Sequence, residues 1–272
     1  MRVPPATLYH YTSADGLNGI FGSHSVWASS ISYLNDEDEF GYAFRRMTKL
    51  LKALVRMRPE FDHWLREVSD YGARSAGVHI GVFSLSEEAD QLSQWRGYAP
   101  SGFTIGFSIH RLTELVEASG YTLVRCVYEI AEQRRLLKVL ITDAVNQYDA
   151  ATAGGTAPDV ALNDYGYRLL VNTVRLAPIL KNPAFAEEKE WRLISGVRRA
   201  DSGEWQIRTK GSHFVPYLVF SLGDRGATPI ADVVVGPSPS MALAHLAMPS
   251  LFHAYRIAAT ARRSQLPYRS HS

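Results

Sequence analysis

The sequence predicts a single α+β domain built on a mixed or antiparallel sheet. Short apolar runs of β-favouring residues recur along the chain, and segments with helical periodicity separate only some of them, unlike regular βαβ winding. The length of 272 residues, with 46% hydrophobic and 21% charged residues, is typical of a globular chain with a substantial core. We expect the domain to occupy residues 1–260 and a flexible tail to occupy residues 261–272.

The first 70 residues alternate between strand and helix signals. A strand over residues 7–11 precedes the polar pair Thr12 and Ser13, which can cap a helix through residues 17–21 that Gly22 ends. A second strand follows at residues 26–29. Helical periodicity then runs from about residue 37 to residue 68, and Pro59 divides it.

The rest of the chain predicts most of the sheet. Strands are expected at residues 81–85 and 102–107, as neighbours in the sheet, and at 121–128, 190–195, 205–208, 214–220 and 230–235. Helical periodicity over residues 132–150 and 161–176 predicts a helical insertion at about 130–180. A final helix begins near Pro239.

Composition and absent motifs exclude several classes of protein. Cys126 is the only cysteine, so an intramolecular disulfide and a zinc ribbon are excluded. No apolar run approaches the ~18 residues that cross a bilayer, and the start MRVPPATLYHYTS lacks a signal-peptide pattern, so we expect a cytoplasmic protein without a membrane partner. The sequence also lacks the P-loop, Rossmann, zincin and α/β-hydrolase motifs.

The densest polar cluster lies where the first strand enters the first helix. It contains His10, Tyr11 and Thr12, and the unpaired amides of a helix N-terminus follow it. Such a corner can hold a ribose or a phosphate, with His10 donating to sugar hydroxyls. The alternative is a buried strand histidine and a simple helix cap.

A second cluster follows the second strand. Ser29 precedes an acidic run in which Asn35 and Asp36 can fix a loop that lines a ligand cleft. The alternative is capping, because the helix macrodipole stabilises carboxylates in a first turn. The spacing indicates a metal site only weakly, and we expect no metal.

A third cluster joins Ser84 to an aromatic pair. Trp95 and Tyr98 are three residues apart, so one helical turn places both on a face that can stack on adenine or nicotinamide. The alternative is that both rings pack in the core.

The fourth cluster lies on a late strand. Glu190 and Arg192 share one strand face by alternation. They form either a structural ion pair or a cleft in which Glu190 stabilises the cationic transition state of glycosidic cleavage.

Five blocks of sequence in a fixed order carry a family resemblance. The blocks LYHYTS, VWASSISYLNDEDEF, VFSLSEEADQLSQWRGY with GFTIGFS, FAEEKEWRLI and VVVGP resemble the bacterial domain-of-unknown-function family DUF2971, from about residue 8 to residue 237. The first and fourth blocks are also similar to ADP-ribosyltransferases, including DNA-modifying toxins of the DarT type, which begin with H-x-T ahead of a helix.

This resemblance implies an ADP-ribosyltransferase-like sheet core and a site for NAD as substrate. His10 would contact the NAD ribose, Thr12 would support the nicotinamide pocket, and Glu190 would stabilise the oxocarbenium ion, with Glu188 as its rival. Trp27, Trp95 or Tyr98 would replace the superfamily's stacking tyrosine.

The implied activity is mono-ADP-ribosylation of DNA, RNA or protein by a toxin or phage-defence effector, which an antitoxin can restrain. Two alternatives are an NAD glycohydrolase and a non-catalytic module that binds a nucleotide or a nucleic acid.

Overall fold

The computed structural model describes residues 5–33, 39–74 and 78–267, and these contain both strands and helices. The strands are β1 (Thr7–Thr12), β2 (Ser25–Ser30), β3 (Val78–His79), β4 (Gly81–Ser86), β5 (Phe103–Ser108), β6 (Thr122–Arg125), β7 (Glu190–Ile194), β8 (Arg198–Arg199), β9 (Gln206–Lys210), β10 (His213–Ser221), β11 (Ile230–Val235) and β12 (Thr260–Arg263). The helices are α1 (Ala14–Ser23), α2 (Glu39–Val55), α3 (Asp62–Arg74), α4 (Leu92–Tyr98), α5 (Ile109–Ser119), α6 (Ile130–Ala153), α7 (Pro158–Leu176) and α8 (Met241–Tyr255).

A ten-stranded sheet forms the centre of the molecule. Its main order is β12-β11-β5-β1-β4-β2-β10-β9, and β7 pairs with β4 and β6. The pairs are antiparallel except for β11 with β12, which are parallel. This mixed, mostly antiparallel sheet with flanking helices confirms the predicted α+β class.

Helices cover both faces of the sheet. Alternation along the strands sends Val82 and Ile194 to one face, where they join a core formed with α2, α3, α6 and α7. Phe83 and Leu193 point to the other face, where the core includes residues of α1, α5 and α8. Each of these strands is therefore buried on both sides, and the molecule has three layers.

The predicted helical pair is present as α6 and α7. These helices share one apolar core with α2, α3 and the sheet. Trp64 of α3 is fully buried and donates its indole N–H to the Leu162 carbonyl oxygen at 2.7 Å. A side chain at Gly166 would lie 2.6 Å from the Trp64 ring, so α7 packs close to α3. The pair is therefore integral to one helical layer.

The corner between β1 and α1 forms as expected, but α1 continues through Gly22, where it was predicted to end, to Ser23. The Ser13 hydroxyl accepts a hydrogen bond from the Gly16 amide at 3.1 Å and caps α1. Its end is set by His24, whose φ of 51° is left-handed. The His24 ring stabilises this conformation through bonds to Gly223 and Thr228.

Two predictions about the fold are wrong, and one helix was not predicted. β4 and β5 are not neighbours, because β1 lies between them and pairs with both. Residues 261–263, expected in a flexible tail, belong to β12, whose backbone pairs with β11. The helix α5 follows β5 in a segment for which no element was predicted.

Within the described residues, every helix is too short or too polar to cross a bilayer.

Candidate functional site

The sheet divides along one edge of β4. Near its end β4 pairs with β1 through Tyr9 and Ser86, whereas near its start it pairs with β2 through Val82 and Ser29. The strands β1 and β2 therefore separate around Ser84. We call the group β1, β5, β11 and β12 the first half-sheet and the group β2, β10 and β9 the second half-sheet.

A cavity of about 610 Å³ occupies this division, and we call it the cleft. Its volume lies in the range of ligand-binding pockets. It is bordered by β1, one face of α1, β2, β4, β9 and the segment that leads into β7. Its polar lining includes His10, Thr12, Ser13, Ser29, Ser84, Tyr98, Lys181, Glu188, Glu190, Arg192, Arg208 and Lys210.

His10 lies at the division between the half-sheets and links β1 to β4. Its Nδ1–H donates to the Ser84 carbonyl oxygen at 2.9 Å, and its ring lies 4.2 Å from that of Phe83. Burial lowers the pKa of His10 to about 4; the positive charge of Arg208 adds to this, and the bond to Ser84 opposes it. The imidazole is therefore neutral at pH 7 and presents Nε2 as an acceptor. The prediction that His10 donates to sugar hydroxyls is thus wrong for this tautomer, which would accept from them.

Glu190 lies in a buried cluster that we call the charged network, consisting of Lys181, Glu188, Glu190 and Arg192. Arg192 donates from Nε to Glu190 Oε1 at 2.8 Å and from Nη2 to Oε2 at 2.9 Å. Lys181 Nζ donates to the same Oε2 at 2.6 Å. Burial alone would raise the pKa of Glu190, but Arg192 and Lys181 outweigh it and lower the pKa to about 2. Glu190 is therefore ionised and paired.

Glu188 forms the other end of the network. It lies in the 3₁₀ helix Pro183–Glu188 and not on β7, because Lys189 takes a left-handed φ of 44° between them. Its Oε2 contacts Lys181 Nζ, and its Oε1 accepts from the Tyr98 hydroxyl at 2.7 Å. Burial and the Glu188 charge raise the pKa of Tyr98, which keeps the phenol protonated as a donor.

The second half-sheet provides the opposite side of the cleft. Arg208 Nη2 donates to the Ser29 hydroxyl at 3.0 Å. The guanidinium lies 5.9 Å from the centre of the Trp27 ring, which in turn stacks on Tyr217 at 4.4 Å. Lys210 lines the cleft two residues further along β9. This side is therefore basic and partly aromatic.

The cleft brings together most of the predicted site residues. His10, Tyr11, Thr12, Ser29, Ser84, Tyr98 and Glu190 all line it. The Tyr11 hydroxyl is engaged with the loop before α4, since it donates to the Glu88 carbonyl oxygen at 2.9 Å and accepts from the Gln91 amide at 3.0 Å. Asn35 and Asp36 lie outside the described residues.

Trp95 does not line the cleft, so the prediction that it stacks on a ligand is wrong. It is buried against Tyr11 and Val234, and its indole N–H donates to Asp90 at 2.7 Å. Asp90 also accepts from Ser264, which ties the segment after β12 to the loop before α4. The alternative interpretation, core packing, applies to Trp95 and not to Tyr98.

Three cleft residues were missed in the sequence. Lys181 interrupts the apolar stretch LAPILKNPAF, and a lone charge in such a stretch signals a buried partner. Arg208 and Lys210 alternate on a short polar strand, which signals a shared face. No group of three or more potential metal ligands occurs within residues 5–33, 39–74 and 78–267. The expectation that no metal takes part stays a prediction.

Comparison with known proteins gives one family match. The model of the family described as Protein of unknown function (DUF2971) matches residues 94–193. Residues 94–193 are therefore similar to the DUF2971 family. The DUF2971 match runs from α4 into β7, so it includes Tyr98 and the whole charged network but not His10 or Arg208. No curated protein and no solved structure matches the chain. The resemblance to DUF2971 is thus confirmed, and the similarity to ADP-ribosyltransferases stays a prediction.

Proposed function

We propose that the cleft binds NAD and that the protein is a mono-ADP-ribosyltransferase with a nucleic acid or a protein as acceptor. One observation carries this proposal: His10, from the start of the chain, and the pair Glu188 and Glu190, from a distant segment, line the same cleft. A neutral imidazole that accepts from ribose hydroxyls, together with carboxylates for a developing cation, is a suitable set for cleaving the nicotinamide glycosidic bond.

In the proposed reaction, the bond between C1′ of the ribose and nicotinamide breaks, and its electron pair leaves with nicotinamide. An oxygen or nitrogen of the acceptor bonds to C1′ and loses its proton to water, which balances the positive charge of the ribosyl cation. The carboxylate we assign to the ribosyl cation is Glu188, since Oε1 accepts from Tyr98, Oε2 accepts from Lys181, and each oxygen keeps acceptor capacity. Glu190 Oε2 already accepts from Arg192, Lys181 and Cys126. Glu190 therefore positions Lys181.

The test is nicotinamide release from NAD by the purified protein, with and without DNA, RNA or cell lysate. We expect release that depends on an acceptor and that falls about 10²–10³-fold in Glu188→Gln, the usual loss when a transition-state electrostatic contact is removed. Glu117→Gln, at an exposed position on α5, is the matched control and should retain full activity. Release in Glu188→Gln at the control rate would contradict the assignment.

The same experiment separates the alternatives. Release without any acceptor would identify an NAD glycohydrolase that uses water as the nucleophile. A specific observation favours the non-catalytic module: the two cations of the charged network balance its two carboxylates, which weakens the field available to a ribosyl cation. NAD binding without release under any condition would support that module.

The biological setting belongs to the same proposal. We place the protein in the cytoplasm, as a toxin or phage-defence effector restrained by an antitoxin. If this is correct, expression of the wild-type chain should arrest growth of host cells, and expression of Glu188→Gln at equal abundance should not. Equal toxicity of the two chains would contradict a toxic transferase activity.

A further inference from the structure

The basic side of the cleft lacks balancing acidic groups around Arg208. Arg208 and Lys210 both line the cleft from β9, on the same strand face. No ion pair of Arg208 with a carboxylate occurs among the described residues. This distinguishes Arg208 from Arg192 of the charged network, which is paired with Glu190.

Arg208 also has an unused donor. Its Nε is buried, and within the described part of the chain it has no hydrogen-bond partner. Buried polar atoms are almost always hydrogen-bonded, so this donor leaves the hydrogen-bonding capacity of the guanidinium incompletely used. Burial lowers the pKa of Arg208, and burial together with the Arg208 charge lowers that of Lys210. Both cations would therefore be stabilised by a bound anion.

The guanidinium is held in place before any ligand arrives. Ser29 accepts a hydrogen bond from Nη2 at 3.0 Å, and the Trp27 ring, itself stacked on Tyr217, lies 5.9 Å from the guanidinium carbon. Such support fixes the planar donor group, which matches the geometry of phosphate oxygens. The Arg208 charge also lowers the pKa of His10, so the guanidinium is within electrostatic reach of the imidazole in the cleft.

We propose that Arg208, with Lys210 beside it, forms a diphosphate-binding subsite of the cleft. The inference rests on the proposed function for the ligand, NAD, whose diphosphate would lie against β9 while its nicotinamide ribose lies between His10 and Glu188. The Nη groups of Arg208 donate to phosphate oxygens, and Lys210 supplies a second positive charge. The subsite thereby fixes the orientation of the dinucleotide across the division between the half-sheets.

Isothermal titration of NAD, ADP-ribose, inorganic pyrophosphate and nicotinamide riboside tests the subsite. In Arg208→Gln we expect affinity for the three phosphate-bearing ligands to fall about 10–100-fold, the usual effect of losing a hydrogen bond to a charged group. Affinity for nicotinamide riboside, which has no phosphate, should change less than threefold. Arg208→Lys keeps the charge without the planar group and should lose less affinity. Arg134→Gln, at an exposed site on α6, is the matched control.

The outcomes separate this inference from the proposed function. Unchanged NAD and pyrophosphate affinity in Arg208→Gln, or in Arg208→Lys if the glutamine variant does not fold, overturns the subsite even if nicotinamide is released. Arg208-dependent binding of pyrophosphate and ADP-ribose without nicotinamide release supports the subsite and overturns the transferase. A single-stranded oligonucleotide is titrated as a further ligand. If Arg208→Gln weakens only the binding of this oligonucleotide, the subsite is overturned, and Arg208 and Lys210 bind a nucleic acid acceptor instead.

Discussion

Replacement of Lys181 by methionine tests the electrostatics of the cleft most directly. Lys181 is only 4% exposed, and its ammonium group contacts carboxylates of both Glu188 and Glu190. Lys181→Met keeps the side-chain length but leaves a buried carboxylate pair without a shared cation. Breaking a buried ion pair in this way typically destabilises a protein by about 3–5 kcal/mol. At roughly 2–4 °C per kcal/mol for a chain of this size, the melting temperature should fall by about 6–20 °C.

The surface pair of Lys189 and Glu88 provides the control. These side chains are 39% and 43% exposed, so Lys189→Met should cost at most about 1 kcal/mol. Thermal unfolding followed by circular dichroism, with urea titrations at pH 7, measures both variants. Adding Glu188→Gln to Lys181→Met should recover part of the loss, because it removes one of the two stranded carboxylates.

Acid titration adds a second readout for Lys181→Met. Glu190 has its pKa lowered to about 2 from 4.5, so its contribution to stability is fully present above pH 4.5 and is lost as the pH falls towards 2. Without Lys181 this pKa rises and the contribution shrinks. If Lys181→Met and Lys189→Met lose equal stability at pH 7 and follow the same acid limb, the network is solvated and the reasoning is wrong.

Three further predictions concern the first half-sheet and the segments next to it. The pKa of His10 is about 4 instead of 6.5. The contribution of His10 to the free energy of unfolding is therefore complete above pH 6.5 and is lost as the pH falls towards 4. Urea titrations should show this pH dependence in the wild type and not in His10→Asn. NAD affinity should then be constant from pH 6.5 to 8, and a titration step there would contradict a neutral His10. Gly102→Ala should lower the free energy of unfolding by about 2–3 kcal/mol, because its Cβ would lie 2.3 Å from the Thr12 carbonyl oxygen. The control, Gly97→Ala in α4, has open space around its Cβ and should stabilise the protein by up to about 1 kcal/mol. Equal melting temperatures of the two variants would refute the close approach at Gly102.

Local signals in the sequence located most elements. The apolar alternation of residues 214–220 and 230–235 predicted β10 and β11 to within a residue or two, because these strands bury side chains that the sequence displays. The helical period of residues 132–150 and 161–176 likewise located α6 and α7. In each case, the burial pattern that stabilises the element is the pattern that predicts it.

Strand order could not be predicted in the same way. The position of β1 between β4 and β5 depends on pairing between segments far apart in sequence, and apolar alternation does not identify the partner. The residues TARR of β12 are polar and mostly exposed, and their strand conformation comes from backbone pairing with β11. A polar segment that is held by its backbone has no side-chain signal.

Of the candidate site, His10 and Glu190 could be predicted from the sequence, whereas the buried cation Lys181 could not. His10 and Glu190 were identified because their residue types suggest chemistry at a strand end. Lys181 was missed because its partners, Glu188 and Glu190, are brought to it only by the turn at Lys189 and by the packing of β7. Trp95 was misassigned because helical spacing with Tyr98 does not tell which ring faces the core.

The shared edge of β4 also defines a mechanical property of the molecule. Beside Ser84 neither β1 nor β2 pairs with this edge of β4, and the His10 imidazole donates to the Ser84 carbonyl oxygen instead. At this position β4 is the strand that joins the two half-sheets. A ligand that contacts both Arg208 and Glu188 would add a second connection across this division. Amide hydrogen exchange along β4 would slow when a ligand bridges the two sides.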